Sequence, residues 1–481
     1  MQGKSFHIIT LGCKVNQYES EALREAWLQA GHHELKSPAD ADLVLINSCA
    51  ITAKAISDLR AVSRRVRRLT PQGEILVTGC AAEALPEELN TLPVDTLVPQ
   101  RNKISLLRYL GSAEGFENIE LTDFYVFPEH SGREKEEICS GAHEQANESA
   151  EFWDYEGPEE IIDKTAFPPF SISDYARTRA VLKIQDGCSQ HCTYCIVPKG
   201  RGPSTSRPWQ AILAEAGRLI YAGFRELVLN GVNLRQYGMD LPVKQDFWDL
   251  LTRISAAFAP EWSRRAPDAN AYRSLRFRIS SLEPGQLNQK ALDTLAQSSL
   301  IAPHLHLSLQ SGSSSILKKM GRGHYNIQKI PDFLDNLKQI WPKFGLGADF
   351  IVGFPGESEE DFAETIEISE KLPLSYAHVF PYSRRPNTAA ASLPGQIPQE
   401  IKKERAARLR AFISRKKQDF LQSQLKLERV DVVLEEGKKG QGVNEFYSDC
   451  RFVGKSVPSG KNIIPVKPVG VDNDTLLIQC C

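Results

Sequence analysis

Short apolar runs alternate with amphipathic helical stretches along most of the 481 residues, and this alternation limits the fold more than any other feature. Phe6–Leu11, Leu43–Asn47 and Ile75–Thr78 are β-rich, and Glu19–Ala30 and Ala53–Leu69 lie among them with helical periodicity. Strand–helix–strand order predicts a parallel sheet with helices on its faces, and the loops beyond its strand C-ends form the functional edge. From Arg179 a second α/β pattern begins, with strands expected at Val181–Gln185, Glu226–Leu229, Ser274–Ile279, His304–Leu309, Leu346–Val352 and Tyr376–Phe380. Helical runs such as Trp209–Ala222 and Glu359–Leu372 separate them, the latter capped by Ser358 with Asp361 three positions on. Six such units predict a partial (β/α)6 barrel with its chemistry at the strand C-ends. After Arg429 the chain changes to short strands and glycine-rich turns (Val430–Glu435, Cys450–Val453, Ile463–Pro468, Thr475–Gln479), the pattern of a small all-β barrel. The expected organisation is an α/β domain at 1–110, an acidic linker or insertion at 111–172, the partial barrel with its C-terminal helix at 173–424, and the small barrel at 425–481.

Hydrophobic residues make up 41% of the chain and charged residues 25%, which excludes collagen-like and wholly disordered chains. The longest uncharged stretch, Thr294–Leu317, is full of Ser, Gln and His, so no membrane span is expected. No signal-like apolar segment opens the sequence, and a cytoplasmic protein is expected. The formal net charge of −2 hides a strong asymmetry. Gly111–Ala166 holds 16 acidic residues against 3 basic, so the rest of the chain carries +11. Lys54, Arg60, Arg64, Arg65, Arg67 and Arg68 face only Asp58 in one stretch, and Glu400–Arg429 has 10 basic residues against 4 acidic. Such local fields suit an RNA face; solvated helices would also account for them. The tail from Lys426 balances 8 basic with 8 acidic residues, so RNA contact there rests on Phe446, Tyr447 and Phe452, which are either stacking platforms or core.

Ten cysteines are too few for a disulfide scaffold, and in a reducing compartment they are better read as ligands or nucleophiles. Cys188, Cys192 and Cys195 follow directly on the first barrel strand. Zinc would want a fourth ligand, and His191 beside the set points elsewhere; a redox pair would leave one cysteine redundant. An iron–sulfur cluster on three thiolates fits best, with one iron left open for a ligand. Cys13, Cys49 and Cys80 each end a strand of the first sheet, so they either form a second metal or iron–sulfur site or are core residues. Cys139, Cys450, Cys480 and Cys481 read as incidental or structural.

The stretch Cys188-Ser-Gln-His-Cys-Thr-Tyr-Cys195 resembles the signature of radical S-adenosylmethionine enzymes. That resemblance implies a four-iron cluster whose open iron holds S-adenosylmethionine, with Tyr194 near the adenine. Segments at the later strand ends would complete the pocket: Gly231 and Asn233, then Arg278, Ser280 and Glu283, then Gln310, then Gly353 and Gly356. Arg278 and Glu283 could equally form a structural ion pair.

Thr10-Leu-Gly-Cys-Lys-Val-Asn-Gln17, Asn47-Ser-Cys49 and Thr78-Gly-Cys80 are similar to the N-terminal domain of the methylthiotransferases, and the likeness covers nearly the whole chain except the acidic segment. It implies that Cys13, Cys49 and Cys80 hold an auxiliary four-iron cluster that carries the sulfur, beside Asn16, Gln17 and Asn47. It also implies a C-terminal barrel of the TRAM type that grips RNA. The first of these runs and Arg177–Cys188 most resemble the branch acting on N6-threonylcarbamoyladenosine beside the tRNA anticodon. The family's other branches act on N6-isopentenyladenosine and on a ribosomal-protein aspartate. Arg177 or Arg179 would suit the carboxylate of the threonylcarbamoyl group. The partners implied are the tRNA anticodon stem-loop, an external electron donor and a sulfur donor; a monomer is expected.

Overall fold

The computed structural model describes residues 3–111, 167–264, 275–438, 440–454 and 460–480. The acidic stretch read as a linker, with Cys139, and Cys481 lie outside the described residues. The N-terminal unit is a five-stranded parallel sheet of β1 (Ser5–Thr10), β2 (His33–Glu34), β3 (Leu43–Ser48), β4 (Glu74–Gly79) and β5 (Thr96–Pro99). Their order is β2-β1-β3-β4-β5, which reverses between β1 and β3. Such a switch point opens a crevice beyond the strand C-ends, because the connections leave in opposite directions. Cys13 and Cys49 leave β1 and β3 at this crevice. The register Asn47↔Thr78 and Ser48↔Gly79 brings the start of Cys80 level with them. The first helix runs over Lys14–Gln29, five residues earlier than periodicity indicated, because Val15, Asn16 and Tyr18 in its opening turn are already buried. β2 and β5 were not foreseen: one has two residues and the other ends in proline.

The central unit holds β6 (Ala180–Lys183), an antiparallel ribbon of β7 (Gln185–Asp186) and β8 (Thr205–Ser206), then β9 (Glu226–Asn230), β10 (Arg276–Ile279), β11 (Ser281–Leu282), β12 (His304–Gln310), β13 (Gly345–Val352) and β14 (Tyr376–Pro381). Two parallel sheets, β10-β9-β6 and β11-β12-β13-β14, meet through a bridge between Phe277 and Ile301, giving the expected partial barrel. Helices Trp209–Tyr221, Phe247–Arg264, Gln289–Gln297, Ile330–Ile340 and Glu359–Lys371 cover it. Ser358 and Asp361 form the reciprocal cap foreseen for the last of these. The basic helix Gln399–Gln424 then leads into a closed five-stranded barrel of β15 (Val430–Leu434), β16 (Gln441–Asn444), β17 (Asp449–Phe452), β18 (Ile463–Asp472) and β19 (Thr475–Cys480). β16 escaped the sequence reading because Gln-Gly-Val-Asn carries only one β-branched residue.

One apolar core runs without a break from Phe6, Trp27 and Leu45 of the first sheet to Ile184, Leu229 and Leu307 of the barrel. The small barrel has its own core, which includes Phe446, Cys450 and Phe452. Phe446 is therefore packing, 7% exposed and edge-on to Phe420, rather than an open stacking platform.

Candidate functional site

Each N-terminal cysteine emerges where the backbone is forced into close approach. Gly12 has φ +111°, and a Cβ there would lie 2.6 Å from Cys49 Cβ and 3.2 Å from its Sγ. Gly79 has φ +99° and would collide with the Asn47 and Ser48 backbone and side chain. Only glycine serves at both positions. The three thiols are mutual neighbours: burial, with Cys80 and Cys13 beside it, pushes the Cys49 thiol up to about 12, and burial also raises Cys80. Asn16 and Asn47 buttress the group. Asn16 Nδ2 donates to Leu11 O and Ser48 O, each at 2.9 Å, and Asn47 Nδ2 donates to Asn16 O at 2.9 Å. Gln17 is half-buried on the same turn.

The second trio sits on the loop after β7. Cys188 N donates to Gly202 O at 3.1 Å, Thr193 N to Met320 O at 3.0 Å, and Cys195 N to Cys192 O at 3.0 Å. Burial raises Cys192, and burial with Cys192 and Cys188 nearby pushes Cys195 up to about 12. Asn233 Nδ2 donates to Cys188 Sγ at 3.5 Å, while its backbone N–H is held by Gln185 Oε1 at 2.8 Å. A Cβ on Gly231 would lie 2.9 Å from that same Gln185 oxygen. Tyr194 packs edge-on to Phe354 at 6.5 Å. Gln310 takes φ +66° at the end of β12, a left-handed backbone rare for a residue with a side chain. Gly353 and Gly356 are left-handed too, with Gly353 pressed on Lys402.

Glu283 and Arg278 do not pair with one another. Glu283 takes a bidentate bond from Arg322, 2.8 Å at each oxygen, and Arg322 also points Nη1 at Cys192 Sγ, 3.9 Å away. Arg278, expected among the cofactor residues, turns the other way, because alternation along β10 puts its side chain beside Arg276 on the Glu226 side. It binds Glu226 at 2.8 Å and the Asn444 and Glu445 carbonyls of the small barrel at 2.9 and 3.0 Å. Ser280, two residues on, is buried with its hydroxyl unpartnered.

The helical turn that follows the second trio packs on the first. A Cβ on Gly200, five residues after Cys195, would lie 3.1 Å from Cys80 Cβ. Ala53 N, after β3, donates to Ser383 Oγ, after β14, at 3.2 Å. Beside this contact Glu19 is fully buried and receives Lys103 at 2.6 Å, Lys183 at 2.9 Å and Arg201 at 2.8 Å. Burial would raise its carboxyl, but Arg201, Lys103 and Lys183 outweigh that and hold it well below the usual carboxylate range. Arg177 is exposed, whereas Arg179 is half-buried and pairs with Glu435 at 2.9 Å. On the neighbouring strands β12, β13 and β14, buried His306, half-buried Asp349 and exposed His378 bring three ligand atoms within 4.8 Å of one another. Among the described residues neither cysteine trio is drawn in that tightly. Both ring nitrogens of His306 are engaged, by Asp349 and by the Tyr376 hydroxyl, each at 3.0 Å.

A family model described as "Uncharacterized protein family UPF0004" matches residues 5–98, and the radical SAM superfamily model matches residues 182–368. A threonylcarbamoyladenosine tRNA methylthiotransferase of Bacillus subtilis is 34% identical over 471 residues, covering 96% of this chain and 93% of that one. The chain belongs to the radical-SAM methylthiotransferase family. A tRNA-2-methylthio-N(6)-dimethylallyladenosine synthase of Pelotomaculum thermopropionicum is 30% identical, with 95% and 94% covered. The fold is shared with a radical S-adenosylmethionine methyltransferase, TsrM of Kitasatospora setae, at a TM-score of 0.51 and 13% identity, over 81% of this chain and 77% of that one. This methylthiotransferase is thus an enzyme with an iron–sulfur and S-adenosylmethionine module in its central barrel. Among its described residues no helix is long and apolar enough to cross a membrane. Sequence reasoning missed Arg322, the Glu19–Arg201 network and Arg385, which is buried near Cys49 with Nε and Nη2 unpartnered. Nothing local marked them, since Arg322 follows Lys318 and Lys319, Arg385 follows Arg384, and Arg201 follows Lys199.

Proposed function

We propose that this methylthiotransferase converts N6-threonylcarbamoyladenosine beside the tRNA anticodon to its 2-methylthio form, using two four-iron clusters and two S-adenosylmethionine molecules. The observation that carries the reading is that the two cysteine trios lie on elements in contact, with Gly200, on the helical turn just after Cys195, against Cys80. The residues fit the groups. Three thiolates in each trio are a soft donor set short of four, which suits an iron–sulfur cluster with one open iron. Buried polar groups without partners border both: Arg385 Nε and Nη2 and Thr78 Oγ1 on the N-terminal side, Asn230 Nδ2 and Ser280 Oγ on the barrel side. Buried orphan donors are costly unless a ligand meets them.

When bound, these groups supply the reducing electron, the radical that abstracts hydrogen from the base, and the methylthio unit. The chain's own residues do the rest. Cys188, Cys192 and Cys195 ligate one cluster, and Cys13, Cys49 and Cys80 the other. Tyr194, Gly231, Asn233, Ser280, Glu283, Gln310 and Gly353 shape the S-adenosylmethionine pocket. Arg322 fixes Glu283 and lends positive charge to Cys192. Asn16, Gln17 and Asn47 hold the auxiliary loop. The relatives' substrates support the threonylcarbamoyl branch, since the Bacillus subtilis protein is more similar than the dimethylallyladenosine synthase.

The test is mass analysis of tRNA nucleosides from cells with and without the gene, paired with iron and sulfide counts on anaerobically prepared protein. Loss of the methylthio group from threonylcarbamoyl nucleosides and about eight irons per chain are expected. Loss confined to isopentenyl nucleosides would transfer the reading to the sister branch, and about four irons would remove the auxiliary cluster.

A further inference from the structure

Tyr447 of the small barrel stands in the left-handed region at φ +68°, an outlier for an aromatic residue. Its ring lies within a group of cations from three different parts of the fold: Arg278 at 5.1 Å, Arg179 at 5.7 Å and Lys14 at 5.9 Å from the centroid. Burial should raise the Tyr447 hydroxyl, yet Lys14, Arg179 and Arg278 together hold it below the usual phenol range, so the local potential is positive. The carboxylates here do not balance the cations. Glu226 serves Arg276 and Arg278 and reaches Arg179 at 3.9 Å, and Glu435 is shared between Arg179 and Lys438. Lys14 has no carboxylate within ion-pair distance among the described residues. Arg179 and Tyr447 also line a cavity of ≈ 450 Å³ between β14, the basic helix and the small barrel, so the cluster is open on the Arg179 and Tyr447 side. Lys14 is the residue after Cys13, which puts this positive site one residue from the auxiliary trio.

We propose that Lys14 and Arg179, set on the Tyr447 ring, form an anion cradle that receives the carboxylate of the substrate's threonylcarbamoyl group. The inference rests on the functional reading above and deepens it by naming the residues that would separate an anionic modified base from an apolar one. Lys14 lacks a carboxylate partner and Arg179 shares Glu435 with Lys438, so in this partly desolvated site the pair is poised to accept an anion with charge-assisted hydrogen bonds. An apolar isopentenyl group would leave Lys14 unpaired, which is a penalty against that substrate. An RNA phosphate is the other anion that could sit there, and the experiment separates the two.

Anaerobic holoenzyme is titrated with two anticodon stem-loops, one bearing threonylcarbamoyladenosine and one bearing the same base with its carboxylate converted to the carboxamide. Wild type is expected to bind the acid about 10- to 100-fold more tightly than the amide, the range of one or two charge-assisted bonds. Lys14→Gln, checked for unchanged iron content, should weaken the acid loop alone and narrow that gap to about 3-fold or less. Equal wild-type binding of acid and amide would overturn the cradle, and this comparison needs no variant. Equal weakening of both loops by Lys14→Gln would assign the site to phosphate and overturn it as well. If wild type methylthiolates the threonylcarbamoyl loop while binding acid and amide alike, only the cradle falls. If it methylthiolates an isopentenyl loop instead, the parent reading falls.

Discussion

Single residues decide which of the two trios does what. Cys188, Cys192 and Cys195 lie on the barrel loop with Asn233 and Arg322 directed at their sulfurs, while Cys13, Cys49 and Cys80 lie on the N-terminal sheet. The two sets of cysteines lie on separate elements, so under the proposed reading their losses should be separable. Cys195→Ala is expected to abolish reductive cleavage of S-adenosylmethionine, measured as 5′-deoxyadenosine release with dithionite. Cys13→Ala should retain that cleavage and yield no methylthio product, and methylthiolation by this variant would contradict the assignment. The motif residues themselves were legible, because thiol spacing and glycine position are properties of the chain. Arg278 was not: which side of a strand a residue faces depends on register, and β10 turns it to Glu226 and the small barrel.

At the scale of elements, β15, β16 and the turn after β16 are where the small barrel meets the catalytic one. Arg276 and Arg278 of β10 donate to the carbonyls of Asp431, Val443, Asn444 and Glu445, so strand β10 is stitched to the tail by its side chains. Burial pushes the Glu445 carboxyl up to about 7, with Asp431 adding to the effect and Arg276 opposing it. In the unfolded chain a glutamate titrates near 4.3. Between those values the native state keeps a proton that the unfolded state has released, so stability falls as pH rises from about 4.5 to about 7. Thermal melts should show that decline in wild type and a flatter profile in Glu445→Gln, whose amide oxygen can still accept the Asp431 N–H bond. A variant with an unchanged slope would show that another group carries the pH dependence. The strands with strong β-branched character were readable in advance. β5 and β16 were not, since they exist through pairing with β4 and β15 rather than through local preference.

For the whole molecule, the joint between the N-terminal sheet and the barrel is held by shared apolar core and by a buried charge network. Glu19 accepts from Lys103 of its own unit and from Lys183 and Arg201 of the barrel, and Asp186 accepts from the latter two at 2.6 and 2.9 Å. Removing one charge from such a network leaves others buried and uncompensated, at a cost of about 3–5 kcal/mol. Glu19→Gln is therefore expected to lower the melting temperature and to loosen the two units. Increased proteolysis at their junction would register the second effect. Stability within about 0.5 kcal/mol of wild type would mean that the apolar core alone sets the joint.

The architecture and the placing of the six cysteines at strand ends and on the barrel loop were properties of the sequence by itself. Strand–helix alternation, glycine punctuation and cysteine spacing are local signals that survive without knowledge of what packs where. Tertiary structure alone decided that the elements carrying the two trios pack together, that Glu19 meets charges 84 to 182 residues away, and that Lys14, Arg179 and Tyr447 converge. The reason is physical: a buried ion pair or a cation cluster is defined by the field of neighbours brought in by chain crossings, and no local periodicity encodes that field.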